Sequence, residues 1–162
     1  DNVSAVSLSP REAVLQGVSS FVLGSGMAPA QLAGTAKICL GVGYTTDNMD
    51  VAMGSALLLV ALGEAAYGEL IAHHLAQGIG ATRRPDLALA WFDGALGTPG
   101  AAEVTSVFAP GMTDRVGLVR MAAYATAGQP LPGGTLPAAP GAAAAVPTGL
   151  PTFNIPFVTT TP

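Results

Sequence analysis

The fold of this chain depends on ten consecutive residues, Val51-Ala52-Met53-Gly54-Ser55-Ala56-Leu57-Leu58-Leu59-Val60. Apolar residues fall on nearly every side of a helix drawn through this stretch, and a helix of that kind is buried among its neighbours. The stretch is shorter than the ~20 apolar residues that a membrane-spanning helix needs. We therefore predict a central buried helix from Asn48 to Leu62, capped by Thr45, Thr46 or Asp47.

Further helical patterns flank the central helix, and glycines and prolines separate them. Ser9-Pro10-Arg11-Glu12 has the form of a capping box that begins one helix. Pro29 begins another, which runs to about Leu40 and is closed by Gly41-Val42-Gly43. We predict more helices at 64–77, 85–96 and 113–126, and a short element at 101–108. The expected fold class is mainly α, with antiparallel helical hairpins in a bundle.

Both ends of the chain are predicted to be extended arms. The sequence divides into an extended N-terminal arm (1–8), an α-helical domain (9–127), a tether rich in Pro, Gly and Ala (128–149) and an apolar C-terminal arm (150–162). The last 42 residues carry no charge, and eight of the 13 prolines lie between Pro130 and Pro162. Such a segment cannot bury enough of itself to offset its ordering entropy, so we expect another surface to hold it.

The C-terminal arm contains the most specific pattern in the chain, Phe153-Asn154-Ile155-Pro156-Phe157-Val158. In an extended segment, alternate side chains project to the same side, so Phe153, Ile155 and Phe157 form one apolar edge. Such an edge can enter a groove of a neighbouring subunit or add a β-strand to it, and head-to-tail docking of this kind produces open filaments. The alternative is that the arm folds back on its own domain.

The composition limits the possible classes of function. Hydrophobic residues make up 50% of the chain and charged residues 10%, with a mean hydropathy of +0.51, and a surface so poor in charge favours association. A net charge of −4 with six basic residues provides no phosphate-binding stripe. We therefore expect homo-oligomers or homopolymers, no nucleic acid and no membrane span. A chain that starts at Asp1 is typical of an exported protein, extracellular, at the cell surface or periplasmic, and equally of a shortened chain.

Glu69, His73 and His74 form the group that most resembles a metal site. Glu69 and His73 are four residues apart and share a helix face, but a catalytic zinc ion normally takes three protein ligands and the chain has two histidines. We predict no metal, and we interpret Glu69 and His73 as a surface pair with His74 packed at a helix interface. The sequence has no Gly-x-Ser-x-Gly elbow and no phosphate-binding loop. We predict no catalytic residue, no cofactor and no enzymatic activity.

An aromatic pair, Trp91-Phe92, lies at helical spacing with Ala88 and Ala95, which predicts core packing; an exposed interaction site is the alternative. Together with Gly78-x-Gly80 before it, this pattern resembles one Sel1-like repeat, a relative of the tetratricopeptide repeat, over residues 66–96. Arg84 stands where that family has an acidic residue, and the preceding unit lacks the aromatic pair. The resemblance implies stacked antiparallel helices and a binding or scaffolding role.

These patterns together predict a non-enzymatic structural subunit that assembles with itself. We expect an exported protein of a bacterial surface filament, whose C-terminal arm docks on a neighbouring subunit through Phe153, Ile155, Phe157 and Val158. The alternative is a Sel1-like periplasmic module that binds a protein partner in a helical groove.

Overall fold

The computed structural model describes residues 2–98, 101–102, 108–112 and 114–133, and these residues are mainly helical with no strand among them. The chain divides into two compact units, Asp1–Leu131 and Pro132–Pro162, and of the second unit only Pro132 and Gly133 are described. The helices are α1 (Asn2–Ala5), α2 (Arg11–Ser25), α3 (Pro29–Thr45), α4 (Met49–Ala61), α5 (Gly68–Gln77), α6 (Pro85–Leu96) and α7 (Arg115–Thr126), with a 3-10 turn at Ala65–Tyr67 before α5. The predicted element at 101–108 lies mostly outside the described residues.

Helix α4 is the centre of the first unit, as its sequence predicts. It packs against α1, α2, α3 and α5, and its buried residues lie on several sides of the helix: Ala52, Met53, Ser55, Ala56, Leu57, Leu59 and Val60. The predicted cap is wrong, because the Asn48 side chain accepts a hydrogen bond from the Val51 amide at 3.2 Å. Thr45 is unavailable for this role because it still belongs to α3.

Helices α3 and α4 form a hairpin in which a glycine permits unusually close packing. A side chain added at Gly43 would place its Cβ 2.5 Å from the backbone nitrogen of Ala52. The prediction that Gly41-Val42-Gly43 closes α3 is therefore wrong, since the helix continues to Thr45 and Gly43 serves helix contact rather than a turn. At the other end of the hairpin, Lys37 pairs with Glu64 at 2.9 Å.

Helices α5 and α6 form a second, antiparallel hairpin. Gly78 and Gly80 end α5 with positive φ angles of 78° and 66°, a conformation that favours glycine. The Arg84 amide donates to the Leu75 carbonyl at 2.7 Å where the hairpin turns. At its far end, Gly68 packs against Trp91 and Ala95.

The prediction of an extended N-terminal arm at residues 1–8 is wrong, because Asn2–Ala5 forms the helix α1 and turns follow it. Helix α1 packs against α2 and α4, and the turn that follows it contacts the α5–α6 turn. Ser7 accepts a hydrogen bond from the Thr82 amide through its hydroxyl, and its carbonyl accepts another from Arg84, each at 3.1 Å. Helix α2 begins at Arg11 after Pro10 with no side-chain cap, so Ser9 does not form the predicted capping box.

Candidate functional site

The most buried charged group described is the carboxylate of Glu69, in the first turn of α5. Its side chain is 1% exposed. Arg115, at the start of α7 and 46 residues along the chain, donates Nη1 to Oε2 at 2.8 Å and Nη2 to Oε1. This two-pronged pairing matches the planar guanidinium to the carboxylate and joins α7 to α5.

His73 contacts the same carboxylate from the next turn of α5. Its Nε2 lies 3.2 Å from Glu69 Oε1, and its side chain is 38% exposed. The ring meets Phe92 of α6 edge-on, with centroids 5.0 Å apart. The predicted surface pair is therefore wrong for Glu69, because Arg115 and α7 cover the carboxylate; only His73 reaches solvent.

These neighbours set the ionisation of Glu69. Burial alone raises the pKa of its carboxyl group, but the hydrogen bonds and positive charges of His73 and Arg115 outweigh burial, and the net pKa lies below its ordinary value. Glu69 is thus held as a carboxylate whose negative charge is balanced inside the protein. Because its lone pairs face Arg115 and His73, this carboxylate is a structural tie between helices and is poorly placed to act as a general base.

His74 is packed at the interface between α3 and α5, as predicted. Its Nδ1 lies 2.6 Å from the Ile79 carbonyl oxygen, which only accepts, so Nδ1 carries the proton. Tyr44 places its hydroxyl 2.9 Å from Nε2, and in the neutral ring that hydroxyl donates. Both nitrogens of His74 are therefore engaged. Burial raises the pKa of the Tyr44 hydroxyl, which keeps it protonated as a donor.

A groove of about 360 Å³ runs beside the two histidines. It is lined by Tyr44, Met49, Leu70, His73, His74, Gln77 and Ile79. The adjacent histidines face different partners, so the structure does not bring them together as ligands of one ion. Across the described ranges, no group of three or more His, Cys, Asp or Glu residues could hold a metal ion.

Trp91 and Phe92 belong to the core. Trp91 is fully buried and Phe92 nearly so, and the Arg11 guanidinium lies over the Trp91 ring at 5.5 Å from its centroid. The core packing predicted from their helical spacing is confirmed for both residues, and the exposed interaction site is not found there.

The surface also carries a set of exposed apolar side chains, which the sequence did not predict. Five large hydrophobic side chains of α2, α3 and their connection are exposed, and we call them the α2–α3 surface: Phe21, Leu23, Met27, Ile38 and Val42. Leu23 is 85% exposed and Ile38 70%. Helix α3 is apolar on several sides, which was a signal that part of its apolar surface would remain outside.

Next to this surface lies an apolar groove of about 270 Å³ between α1, α2 and α4, which we call the α4 groove. Its lining residues are Asn2, Val3, Val18, Phe21, Gly54, Leu57 and Leu58. None of these side chains is charged. The predicted docking residues Phe153, Ile155, Phe157 and Val158 lie outside the described residues.

No protein-family model matches the chain, and neither a characterised protein nor a solved structure is significantly similar to it. In the described part of the chain, no single helix is long and apolar enough to cross a bilayer; α2 and α3 pass on length and composition only as a pair, bent by 118°.

Proposed function

We propose that this chain is a non-enzymatic structural subunit that assembles with itself through its C-terminal arm. The observation that supports the proposal most directly is the α2–α3 surface. Large exposed apolar patches mark interaction sites, and this chain exposes five large hydrophobic side chains on two consecutive helices and their connection. Here the exposed fractions of Leu23 and Ile38 reach 85% and 70%, on a chain with 10% charged residues.

The C-terminal arm supplies a segment whose chemistry fits such a surface. Phe153, Ile155, Phe157 and Val158 lie in 42 residues without charge, so burying the arm desolvates no ion. In this proposal the arm is extended like a β-strand and presents its alternating side chains to the neighbour. Because the described residues contain no strand, the arm docks on this part of the chain by placing side chains in a groove. Pairing of β-strands is then possible only between the arms of two subunits.

The assembly that follows is a polymer. An arm that docks on a different surface of the next subunit makes a head-to-tail contact, and head-to-tail contacts that do not close into a ring give open filaments. We propose that the protein works outside the cytoplasm, at the surface of a bacterium, where such filaments are built.

The experiment is to replace the apolar edge without changing chain length. The triple variant Phe153→Ser/Ile155→Ser/Phe157→Ser is compared with the matched control Thr159→Ser/Thr160→Ser/Thr161→Ser, using light scattering across dilution and electron micrographs. We expect polymer from the wild type and the control, and small species with unchanged circular dichroism from the first variant. Normal polymers from that variant would contradict the role of the arm, and a wild type that stays small would contradict self-assembly.

A second candidate is a Sel1-like periplasmic interaction module. It is favoured by the α5–α6 hairpin, where Gly68 packs against Trp91 and Ala95 and Gly78 and Gly80 adopt positive φ angles. In this case the wild type is a small species of one size at every dilution, and the apolar edge of the arm has no effect on that size.

A further inference from the structure

We infer that the α4 groove receives the side chains of residues 153–157 from a neighbouring subunit. This inference rests on the self-assembly proposed above and adds the acceptor site. It depends on three properties of the groove and the arm, namely their chemistry, their dimensions and the length of chain that joins the arm to the helical unit.

The chemistry of the groove matches an uncharged apolar segment. Val18 and Phe21 of α2 face Leu57 and Leu58 of α4 across it, and Asn2 supplies the polar side chain among the described lining residues. A charged segment would lose its hydration in such a site without gaining a partner. The arm has no charge, and its prolines carry no N–H groups that would be left unpaired on burial.

The groove beside the histidines is a poorer acceptor for the same arm. Tyr44, His73 and Gln77 contribute polar groups to its lining, and an apolar side chain placed against them would take away water without replacing its hydrogen bonds. Among the described residues that line the α4 groove, only Asn2 has a polar side chain that could lose hydrogen bonds to water in this way. That side chain packs against Gly17.

The dimensions also agree. An apolar cavity of about 150 Å³ accommodates a benzene ring, so about 270 Å³ has room for one phenyl ring and part of a second side chain. Alternate residues of an extended segment are about 6.6–7 Å apart. Four residues of helix, from Gly54 to Leu58, rise about 6 Å. Two neighbouring members of the alternation, such as Ile155 and Phe157, therefore fit the length of the groove.

The connecting chain is long enough to reach another subunit. Nineteen residues lie between Gly133 and Phe153, and a flexible chain of that length has an end-to-end distance of about 25 Å and an extended length of about 65 Å. A compact unit of 131 residues has a radius of gyration of about 14 Å. The arm can therefore leave its own unit and lie across the next one.

The first test places a larger side chain inside the α4 groove. Gly54 lies within α4, and a Cβ at this position makes only an ordinary contact, 3.5 Å from Val3, so Gly54→Leu should fold while its side chain occupies the groove. Gly117→Leu on α7, where a Cβ meets nothing within 4 Å, is the matched control. Gly34→Leu on α3, equally open, reports on docking along the α2–α3 surface instead.

The expected result concerns the concentration needed for assembly, with folding checked by circular dichroism. Excluding one phenyl ring from an apolar site weakens binding by about tenfold or more. We therefore expect Gly54→Leu to raise the assembly concentration by at least about that factor and Gly117→Leu to leave it unchanged. An unchanged Gly54→Leu, or a loss in Gly34→Leu alone, overturns the assignment of the groove.

The second test locates the arm in the full-length protein. Copies with the photo-crosslinker p-benzoylphenylalanine in place of Phe157 are mixed with 15N-labelled wild type and irradiated. Mixed-isotope peptides that join the arm to residues 18–21 or 54–58 support the inference. If the crosslinks to those residues join only peptides of the same isotope, the arm folds back on its own unit. If the crosslinks reach other residues, the arm has a different acceptor. Either result overturns the inference. If crosslinks elsewhere join different copies, self-assembly survives and only the groove is wrong.

Discussion

The Glu69–Arg115 pair should make the attachment of α7 to α5 sensitive to a single substitution. In Arg115→Met the carboxylate of Glu69 keeps His73 at 3.2 Å but loses two hydrogen bonds from the guanidinium. Removing one partner of a buried ion pair costs about 3–5 kcal/mol. Because 14% of the Arg115 side chain is exposed, we expect the lower end, about 3 kcal/mol at pH 7.

The cost should also depend on pH. In the wild type the pKa of Glu69 is lower in the folded than in the unfolded chain, so its contribution is present above the unfolded pKa and is lost as the pH falls from about 4.5 through the folded pKa. In Arg115→Met the hydrogen bonds and the charge of the guanidinium are gone while burial and His73 remain, so the folded pKa of Glu69 is higher than in the wild type and the variant loses less stability on acidification. The difference in unfolding free energy between the two proteins should therefore shrink as the pH falls from 7 to 4.

The measurement is urea unfolding followed by far-ultraviolet circular dichroism at several pH values between 7 and 4. Lys37→Met is the control, because it removes an exposed ion pair with Glu64, and such pairs contribute little to stability. The double variant Glu69→Gln/Arg115→Met removes both charges and should recover part of the loss. A loss below about 1 kcal/mol in Arg115→Met, or one that stays constant with pH, would refute a buried, charge-balanced Glu69.

Two further predictions concern the packing of α3. Gly43→Ala should destabilise the protein, because its Cβ would lie 2.5 Å from the Ala52 backbone, whereas Gly34→Ala on the open side of the same helix should stabilise it by about 1 kcal/mol; opposite shifts in the urea midpoint test this, and equal shifts would contradict it. Tyr44→Phe should lower the free energy of unfolding by about 1 kcal/mol by removing the hydrogen bond to His74; no loss, with an unchanged His74 side-chain NMR signal, would mean that the bond is absent.

Local periodicity was enough to predict helices α2 to α7 and the central position of α4, although the short helix α1 was predicted as an extended arm. The apolar stretch at 51–60 determines α4 because its burial is already encoded in the lack of any polar face. The glycines were harder to interpret. Gly41-x-Gly43 and Gly78-x-Gly80 look alike in sequence, yet the first pair lies inside a helix and the second ends one. The difference is whether another helix approaches the missing side chain, which the local sequence does not contain.

The candidate site shows the same limit at longer range. The spacing of Glu69 and His73 correctly placed them on one face of a helix, but it could not reveal Arg115, because nothing in the order of residues links two positions 46 apart. Without that partner a Glu–His pair belongs on the surface; with it, the carboxylate can be buried. One long-range contact therefore changed the environment predicted for the whole cluster.

The apolar outer side of α3 has a physical explanation that connects sequence to association. Helices α3 and α4 both lack a continuous charged face, but only α4 has neighbours on several sides. A domain of this size has room for few fully surrounded helices, so a second apolar helix must leave part of its surface in water. Ile38 and Val42 are that part, at 70% and 51% exposure. An excess of apolar helix over available core is thus itself a reason to expect a partner.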